Sequence, residues 1–400
     1  MTAVIAALPR DGRLLFVTRF TRLVAYGALS VVLVLYLTTL GLGPSQIGLL
    51  LTLTLVGDTL VSLWLTTRAD RFGRRRTLII GAALMAAAGL TFALTANFVF
   101  LVIAGTVGII SPSGNEVGPF LPIEQAALAQ VVPTDLRTEL FAWYTLAGAL
   151  ATAIGSLSAG VISQTRPYRA VLLLYAVLGM VLAIWFVALS PAVEPAAPEP
   201  AAPERSAFLG LGPSRGIVLR LAGLFALDSF AGGFVIQSFA AYWFYLRFGA
   251  NPATLGAIFF GANLLAGLSA LLAARLAARF GLVRTMVFTH LPSNVLLILV
   301  PLMPTLALAT LVLFMRFSIS QMDVPTRQSY LMAVVRPEER SAAGGVTGVA
   351  RTIGAAVAPV FAGLLFAQPA LINVPFFVAG TLKIVYDVLL YRGFARLSSS

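Results

Sequence analysis

Cysteine is absent from all 400 residues, and histidine occurs once, at His290. Without thiols there is no disulfide, no thiolate metal site and no cysteine nucleophile. One imidazole cannot build a histidine-cluster metal site, and it leaves a Ser-His-Asp triad without support. Charge is also scarce. Charged residues make up 10% of the chain, against about 25% in soluble domains. Hydrophobic residues make up 59% and the mean hydropathy is +0.94, so most of the chain belongs in lipid or a lipid-like core. No G-x-x-x-x-G-K-[ST] run is present, so ATP-driven pumping is unsupported. With no nucleophile–base set either, the chain does not read as an enzyme, and it calls for no cofactor and no metal. The net charge of +12 would suit nucleic acid. The arginines, however, lie in short loops and helix ends instead of on one soluble face, so membrane topology explains them and no nucleic-acid partner is expected.

What is present is a series of apolar stretches of spanning length, about 20 residues each. They fall near 14–40, 45–67, 77–96, 98–132, 138–163, 168–189, 216–246, 252–275, 283–303, 305–335, 341–366 and 372–391, twelve spans in all. Met1–Arg13 reads as a cytoplasmic lead-in. Between the sixth and seventh spans, Ser190–Arg215 contains P-A-V-E-P-A-A-P-E-P-A-A-P-E-R. Recurrent proline and acid there predict an extended, solvated linker. The chain then divides into residues 1–189, a linker at 190–215, and residues 216–400.

Thr66–Leu78, T-T-R-A-D-R-F-G-R-R-R-T-L, sets the orientation, because a dense basic loop is costly to translocate. With that loop inside, Arg10, Arg13, Arg137, Arg205, Arg215, Arg279, Arg284, Arg336, Arg340, Arg392 and Arg396 also fall on the cytoplasmic side. Only Arg166, Arg169 and Arg247 fall opposite. Both termini and the linker are therefore expected in the cytoplasm, in a multi-pass protein of the cytoplasmic (inner) membrane.

The halves repeat. An offset of 208 places R-F-G-x-x-R-T at Arg71–Thr77 on the same pattern at Arg279–Thr285, and Gly41, Pro44 and Gly48 on Gly249, Pro252 and Gly256. An offset of 203 places Pro122, Gln125, Arg137 and Gly160 on Pro325, Gln328, Arg340 and Gly363. The five-residue difference points to an insertion within Ser111–Phe120. Two parallel six-span repeats imply an all-α integral membrane protein, with twelve transmembrane helices in two pseudo-symmetric six-helix bundles.

Asp70, Arg71, Gly73, Arg74 and Arg75 resemble the loop signature G-x-L-a-D-R-x-G-R-[RK] of the major facilitator superfamily. Thr66 stands where that family usually has glycine, and Arg68 where it has an apolar residue. The resemblance implies the major facilitator fold. It also implies that these five residues form a conformational latch, with Asp70 facing the start of the eleventh span near Ser341–Gly345. The second repeat has Ala278 in place of the acid. In the fifth span, Ala151, Gly155, Ser156, Ala159 and Gly160 resemble the antiporter motif of exporters in the drug/metabolite:H+ branch. Ordinary helix packing explains such small residues equally well.

Ionisable groups at membrane depth are expensive, and they face a cavity or each other. Asp58, Glu116 with Asn115, Asp228, Asp323 and Arg351 occupy such positions. Arg316, Ser320, Asp323 and Arg327 recur at helical spacing on the tenth span, predicting one polar face. There Asp323 and Arg327 neutralise one another and Arg316 is the freer cation. S-P-S-G-N-E-V-G-P at 111–119 should break the fourth span, and broken spans favour substrate and ion sites. Glu116 is the leading candidate proton carrier. The alternative is a kink in which Glu116 pairs with an arginine such as Arg351. Arg22 and Tyr26 line the first span at depth, with Arg19 snorkelling to the interface. Lys383 and Asp387, one turn apart, read as a structural pair, and His290 as a packing or interfacial residue.

The expected function is secondary active transport by alternating access, with proton-coupled export of a small organic compound, drug-like or metabolite, by a monomer in the lipid bilayer. Uptake of a small anionic nutrient, by symport or facilitation, is the alternative within transport. A transport-inactive sensor or scaffold is the alternative of another class.

Overall fold

The computed structural model describes residues 8–132, 137–195, 211–336 and 339–394. Arg205, Arg396 and residues 196–210 of the linker lie outside these, as do the side chains of Arg137 and Ser341. The described residues form fifteen α-helices and no strand. Ten helical segments among them are long and apolar enough to cross a membrane.

In the first repeat the helices are α1 (Arg10–Thr39), α2 (Pro44–Phe72), α3 (Arg74–Leu94), α4 (Phe98–Val107), α5 (Phe120–Val131), α6 (Arg137–Thr165) and α7 (Arg169–Val187). In the second they are α8 (Arg215–Gly233), α9 (Gln237–Phe248), α10 (Pro252–Phe280), α11 (Leu282–Leu299), α12 (Leu306–Phe317), α13 (Asp323–Val334), α14 (Arg340–Phe366) and α15 (Val374–Phe394). The twelve expected spans are all accounted for, nine as single helices and three as helix pairs. The fourth span breaks between α4 and α5, as its prolines and glycines predict.

Two further breaks correct the sequence reading. The seventh span is interrupted between Gly233 and Gln237, after a Gly-Gly pair that lowers helix propensity. The tenth is interrupted at 318–322, where neither glycine nor proline occurs. The physical cause lies downstream. Pro325 has no amide N–H, and its ring disfavours helical conformation in the residues before it, so an upstream helix stops and a new one starts. Pro122 holds the same place in α5, and the two prolines are repeat partners. The stripe Arg316–Ser320–Asp323–Arg327 therefore spans two helices instead of one face.

The chain forms two compact units. The first comprises Met1–Gly43, Leu53–Glu199 and Gln237–Asn263; the second comprises Pro44–Thr52, Pro200–Ile236 and Leu264–Ser400. In the first unit α1 is almost wholly enclosed, with α6 against it. At their crossing Gly27 is required, because a Cβ there would sit 2.1 Å from the carbonyl oxygen of Thr152. In the second unit α8 meets α14 in the corresponding way, and a Cβ on Gly233 would fall 2.7 Å from the carbonyl oxygen of Ala355. Thr152 and Ala355 are related by the 203-residue offset, and Gly27 and Gly233 by 206. The internal repeat thus extends to the contacts inside each unit.

Candidate functional site

The first unit builds its polar centre around Arg22, which α1 carries into the bundle with no solvent exposure. Its guanidinium forks onto Glu124 of α5, donating from Nη1 to Oε1 at 2.8 Å and from Nη2 to Oε2 at 2.7 Å. Bidentate pairing of this kind is the strong form of the arginine–carboxylate bond. The same arginine donates from Nε to Glu116 at 3.1 Å and from Nη2 at 3.2 Å, bridging two carboxylates. Glu124 also accepts from the Thr18 hydroxyl at 2.9 Å and the Tyr144 hydroxyl at 2.6 Å. Arg19 adds an ion pair to Glu116 at 3.4 Å, and its guanidinium lies 4.3 Å from the centre of the Tyr144 ring.

Glu116 thus finds its cations on α1, and Arg19 is buried in the ion-pair network instead of snorkelling. The Glu116 side chain keeps 17% exposure while Arg22 and Glu124 keep none. Two arginines and two glutamates leave this network balanced in charge. A directed test follows from the Tyr144–Glu124 bond. Tyr144→Phe removes a hydrogen bond to a buried carboxylate and should cost about 1.5–3 kcal/mol. Thermal melting of the purified variant in detergent checks this, and an unchanged melt would show the bond to be dispensable.

The break at 108–119 is held from several sides within the same unit. Tyr175 donates to Ile109 O at 2.8 Å, Tyr26 to Val117 O at 3.3 Å, and Ser111 to Asn115 O at 2.7 Å. Ser238 of α9 donates both its amide (3.2 Å) and its hydroxyl to Pro112 O. Most important is Asp58 on α2. Its Oδ1 accepts the Gly118 N–H at 2.7 Å and the Ser62 hydroxyl at 3.2 Å. Among the described residues Asp58 forms no ion pair. Asn115 is exposed and adds no bond to the charged network. Nearby, Gln237 donates to Ser30 (2.8 Å) and Ser156 (3.2 Å), and Asn263 donates to Ser156 (3.2 Å) and Gln237 (3.1 Å), an amide–hydroxyl cluster beside the charged one.

The second unit centres on Asp228 of α8. Lys383 of α15, the chain's one lysine, donates to Oδ1 at 2.6 Å, and Arg327 of α13 donates to Oδ2 at 3.1 Å. Arg327 also pairs with Asp323 at 3.4 Å, as their one-turn spacing predicted. The expected pairing of Lys383 with Asp387 does not occur. Packing brings α8 and α11 against α15, and Asp387 instead meets His290 Nδ1 at 2.8 Å and accepts from Asn294 Nδ2 at 2.9 Å. His290 is therefore a member of a buried polar chain, not a packing residue. Arg316 and Arg351 form no ion pair among the described residues, and each has a buried Nε without a hydrogen-bond partner. Asp228, His290 and Asp323 lie close enough to ring a cation, their ligand atoms falling within 4.8 Å of one another. Lys383 and Arg327 already neutralise those carboxylates, which opposes a metal there.

Glu124 escaped the sequence reading, although the repeat signals it. The offset that takes Pro122 to Pro325 takes Glu124 to Arg327, and the offset of the helix-crossing glycines takes Arg22 to Asp228. Each unit thus holds a buried ion pair at the same repeat positions, with the charges exchanged: cation on α1 and anion on α5, anion on α8 and cation on α13.

Of the signature loop, Asp70 is exposed and pairs with Arg74 at 2.8 Å. Arg74 also donates to Gln130 at 2.8 Å. The amides of Arg74 and Arg75 donate to Glu194 at 2.7 Å and 3.2 Å, Arg75 Nη2 donates to Val187 O, and Arg71 is exposed. A carboxylate at the α3 N-terminus meets free helical N–H groups and the positive end of the helix dipole. Gly73, at φ +98°, supplies the turn between α2 and α3.

Comparison with known proteins agrees with this architecture. An uncharacterized membrane protein of Saccharomyces cerevisiae, YJR124C, is 30% identical, over 95% of this chain and 93% of its own length. Among solved structures, the nucleoside transporter NupG superposes with a TM-score of 0.75 at 15% identity, covering 96% of this chain and 99% of that one. A D-xylose–proton symporter superposes with a TM-score of 0.71 at 16% identity, covering 98% and 97%. The human organic anion transporter MFSD10 follows at 0.67 and 16%, covering 96% and 100%. At such identities the likeness is one of fold. The sequence profile of the Major Facilitator Superfamily matches residues 15–247, more than half of the chain. On that match and the yeast relative together, this chain, a multi-pass membrane transporter, belongs to the Major Facilitator Superfamily.

Proposed function

We propose that the protein is a proton-coupled secondary transporter of a small organic compound, with Asp58 as the coupling carboxylate of the first repeat. The observation that carries this reading is the difference in pairing between Asp58, Glu116 and Glu124. Protonating Glu116 or Glu124 would leave Arg22 or Arg19 buried beside a neutral partner, a costly arrangement. Protonating Asp58 strands no cation, and its bond to Gly118 lets a proton there be felt by the broken stretch that carries Glu116. The alternating movement would be of the two six-span repeats, residues 1–189 and 216–400, with the Asp70 loop serving as the cytoplasmic latch and both termini inside.

Export is the proposed direction, on the resemblance of the fifth span to exporters. Packing accounts for part of that pattern: Ser156 donates to Thr152 O at 3.0 Å and Gly27 O at 3.3 Å, and Ala159 is wholly buried. A second reading, uptake of a small organic anion, is favoured by Arg316 and Arg351, whose unmatched N–H donors suit a carboxylate or phosphate.

A thermal-shift screen over cationic drugs, organic anions, sugars and metal salts identifies the class that stabilises the protein. Inside-out vesicles then carry the test. Under proton-linked export they accumulate the stabilising compound when a pH gradient is imposed and stop when a protonophore collapses it. Accumulation that survives the protonophore would refute proton coupling.

A further inference from the structure

We propose that His290, with Asp228 and Asp387, forms a proton-binding switch in the second unit, whose loading loosens the Lys383–Asp228 ion pair. This is separate from the role assigned to Asp58, and its test does not depend on that role or on the transported compound.

The geometry is that of a relay. His290 Nδ1 lies 2.8 Å from Asp387 Oδ1, so in the neutral ring Nδ1 carries the hydrogen and donates it to that carboxylate. Asn294 Nδ2 donates to the other oxygen of Asp387 at 2.9 Å and also lies 3.1 Å from His290 Nδ1; the shorter contact to the carboxylate assigns the Nδ1 hydrogen to Asp387. The second ring nitrogen, Nε2, is then the free base, and it faces Asp228 Oδ1 at 3.7 Å. That oxygen already accepts from Lys383 Nζ at 2.6 Å. When the Nε2 lone pair takes a proton from hydronium, releasing water, imidazole becomes imidazolium, Nδ1 keeps its hydrogen, and a new N–H is aimed at Asp228. Two cations then compete for one carboxylate oxygen, and like-charge repulsion in a low-dielectric site acts on the ammonium as well. Histidine is the side chain suited to such exchange near neutral pH.

Every packed element contributes to the field at the ring. Asp228 comes from α8, and Asp323 and Arg327 from α13. Lys383, Asp387 and Tyr386 come from α15, the Tyr386 ring lying edge-on with its centroid 5.8 Å away. Arg316 of α12 and Arg351 of α14 add positive charge within the unit, and α11 itself adds Asn294. His290 and Asp387 are 95% or more buried, so bulk water does not screen these terms. Carboxylates flank the ring on both sides, Asp387 at 2.8 Å and Asp228 at 3.7 Å. They confine the change on loading to the Asp228 side, where the contact is still open.

Composition makes the test unusually direct, because the chain has one histidine and one lysine. The full-length protein, with any purification tag removed, is labelled with [15N]histidine and [15N]lysine and studied by NMR in lipid nanodiscs between about pH 5 and 9. The expected result has three parts. The Nε2 resonance passes from the unprotonated to the protonated position as pH falls, Nδ1 stays protonated throughout, and the Lys383 Nζ resonance moves with the same midpoint. Asp387→Asn and Asp228→Asn each weaken proton binding at His290 by about tenfold, the equivalent of one pH unit. Constant histidine shifts across the range would overturn the proposal. So would a histidine that titrates while Lys383 stays still, or a midpoint that neither variant moves.

Discussion

Glu124→Ala is expected to destabilise the protein by about 3–5 kcal/mol, the usual cost of leaving one member of a buried ion pair without its partner. Three donors lose their acceptor at once: the Arg22 fork, the Thr18 hydroxyl and the Tyr144 hydroxyl. Arg22 has no exposure through which water can replace them. Glu116 is already shared with Arg19, so it compensates only in part. The size of the loss reflects the stranded charge more than the net worth of the bridge. The double variant Arg22→Met/Glu124→Gln should therefore recover most of the stability. The glutamine Oε1 still accepts from one of the two hydroxyls, its Nε2 donates to the other, and Glu116 keeps Arg19. Thermal unfolding followed by size-exclusion fluorescence in detergent reads both effects. A single variant that melts with the wild type, or a double variant as unstable as the single, would disprove this account.

Much of this arrangement was legible in the sequence, and the parts that were not have identifiable causes. The fourth-span break announced itself through two prolines and two glycines in nine residues. The tenth-span break did not, because Ser318–Met322 contains no conventional breaker and the polar residues around it keep helical spacing across the gap. Its cause, Pro325, sits in the following helix, where a proline near the start of a helix looks unremarkable. Arg22 stood out as a deep cation in an apolar run. Glu124 sits in F-L-P-I-E-Q-A-A, where one acid beside a glutamine reads as the approach to the cytoplasmic end.

Pairings were the hardest feature to read, since they depend on which helices meet. Lys383 and Asp387 satisfy the one-turn rule for a local ion pair, yet each has a partner on another helix in the same unit. A local pair leaves two long side chains lying along their own helix. Pairing outward instead gives Asp228 a second cation beside Arg327 and gives His290 a carboxylate partner. The one-turn pair Asp323–Arg327 did form, and there the same Nη1 of Arg327 also reaches outward to Asp228. The exchanged charges of the repeat follow the same logic. Each unit needs one cation and one anion at its centre, and either helix can supply either sign.

The sharpest functional consequence concerns Asp58→Asn. The substitution is nearly isosteric, and the amide oxygen can still accept the Gly118 N–H, so the broken stretch should keep its shape. What is lost is the ability to carry a proton. Accumulation driven by a pH gradient is expected to fall at least about tenfold, as in removal of an essential acid–base group, while exchange of labelled for unlabelled compound across the membrane continues. Glu116→Gln should behave differently, although a motif-level reading would rank it first. It weakens the acceptor of both Arg19 and Arg22, so its loss of flux should come with a lower melting temperature and with loss of exchange. Transport down a gradient, transport under a pH gradient and thermal melting, measured on both variants, separate the two roles. A stable Glu116→Gln protein that exchanges but does not accumulate, beside an Asp58→Asn protein that works normally, would transfer the coupling role to Glu116. Stable exchange without accumulation in Asp58→Asn alone would fix it on α2, because an unpaired acid can give up its charge without leaving an arginine stranded.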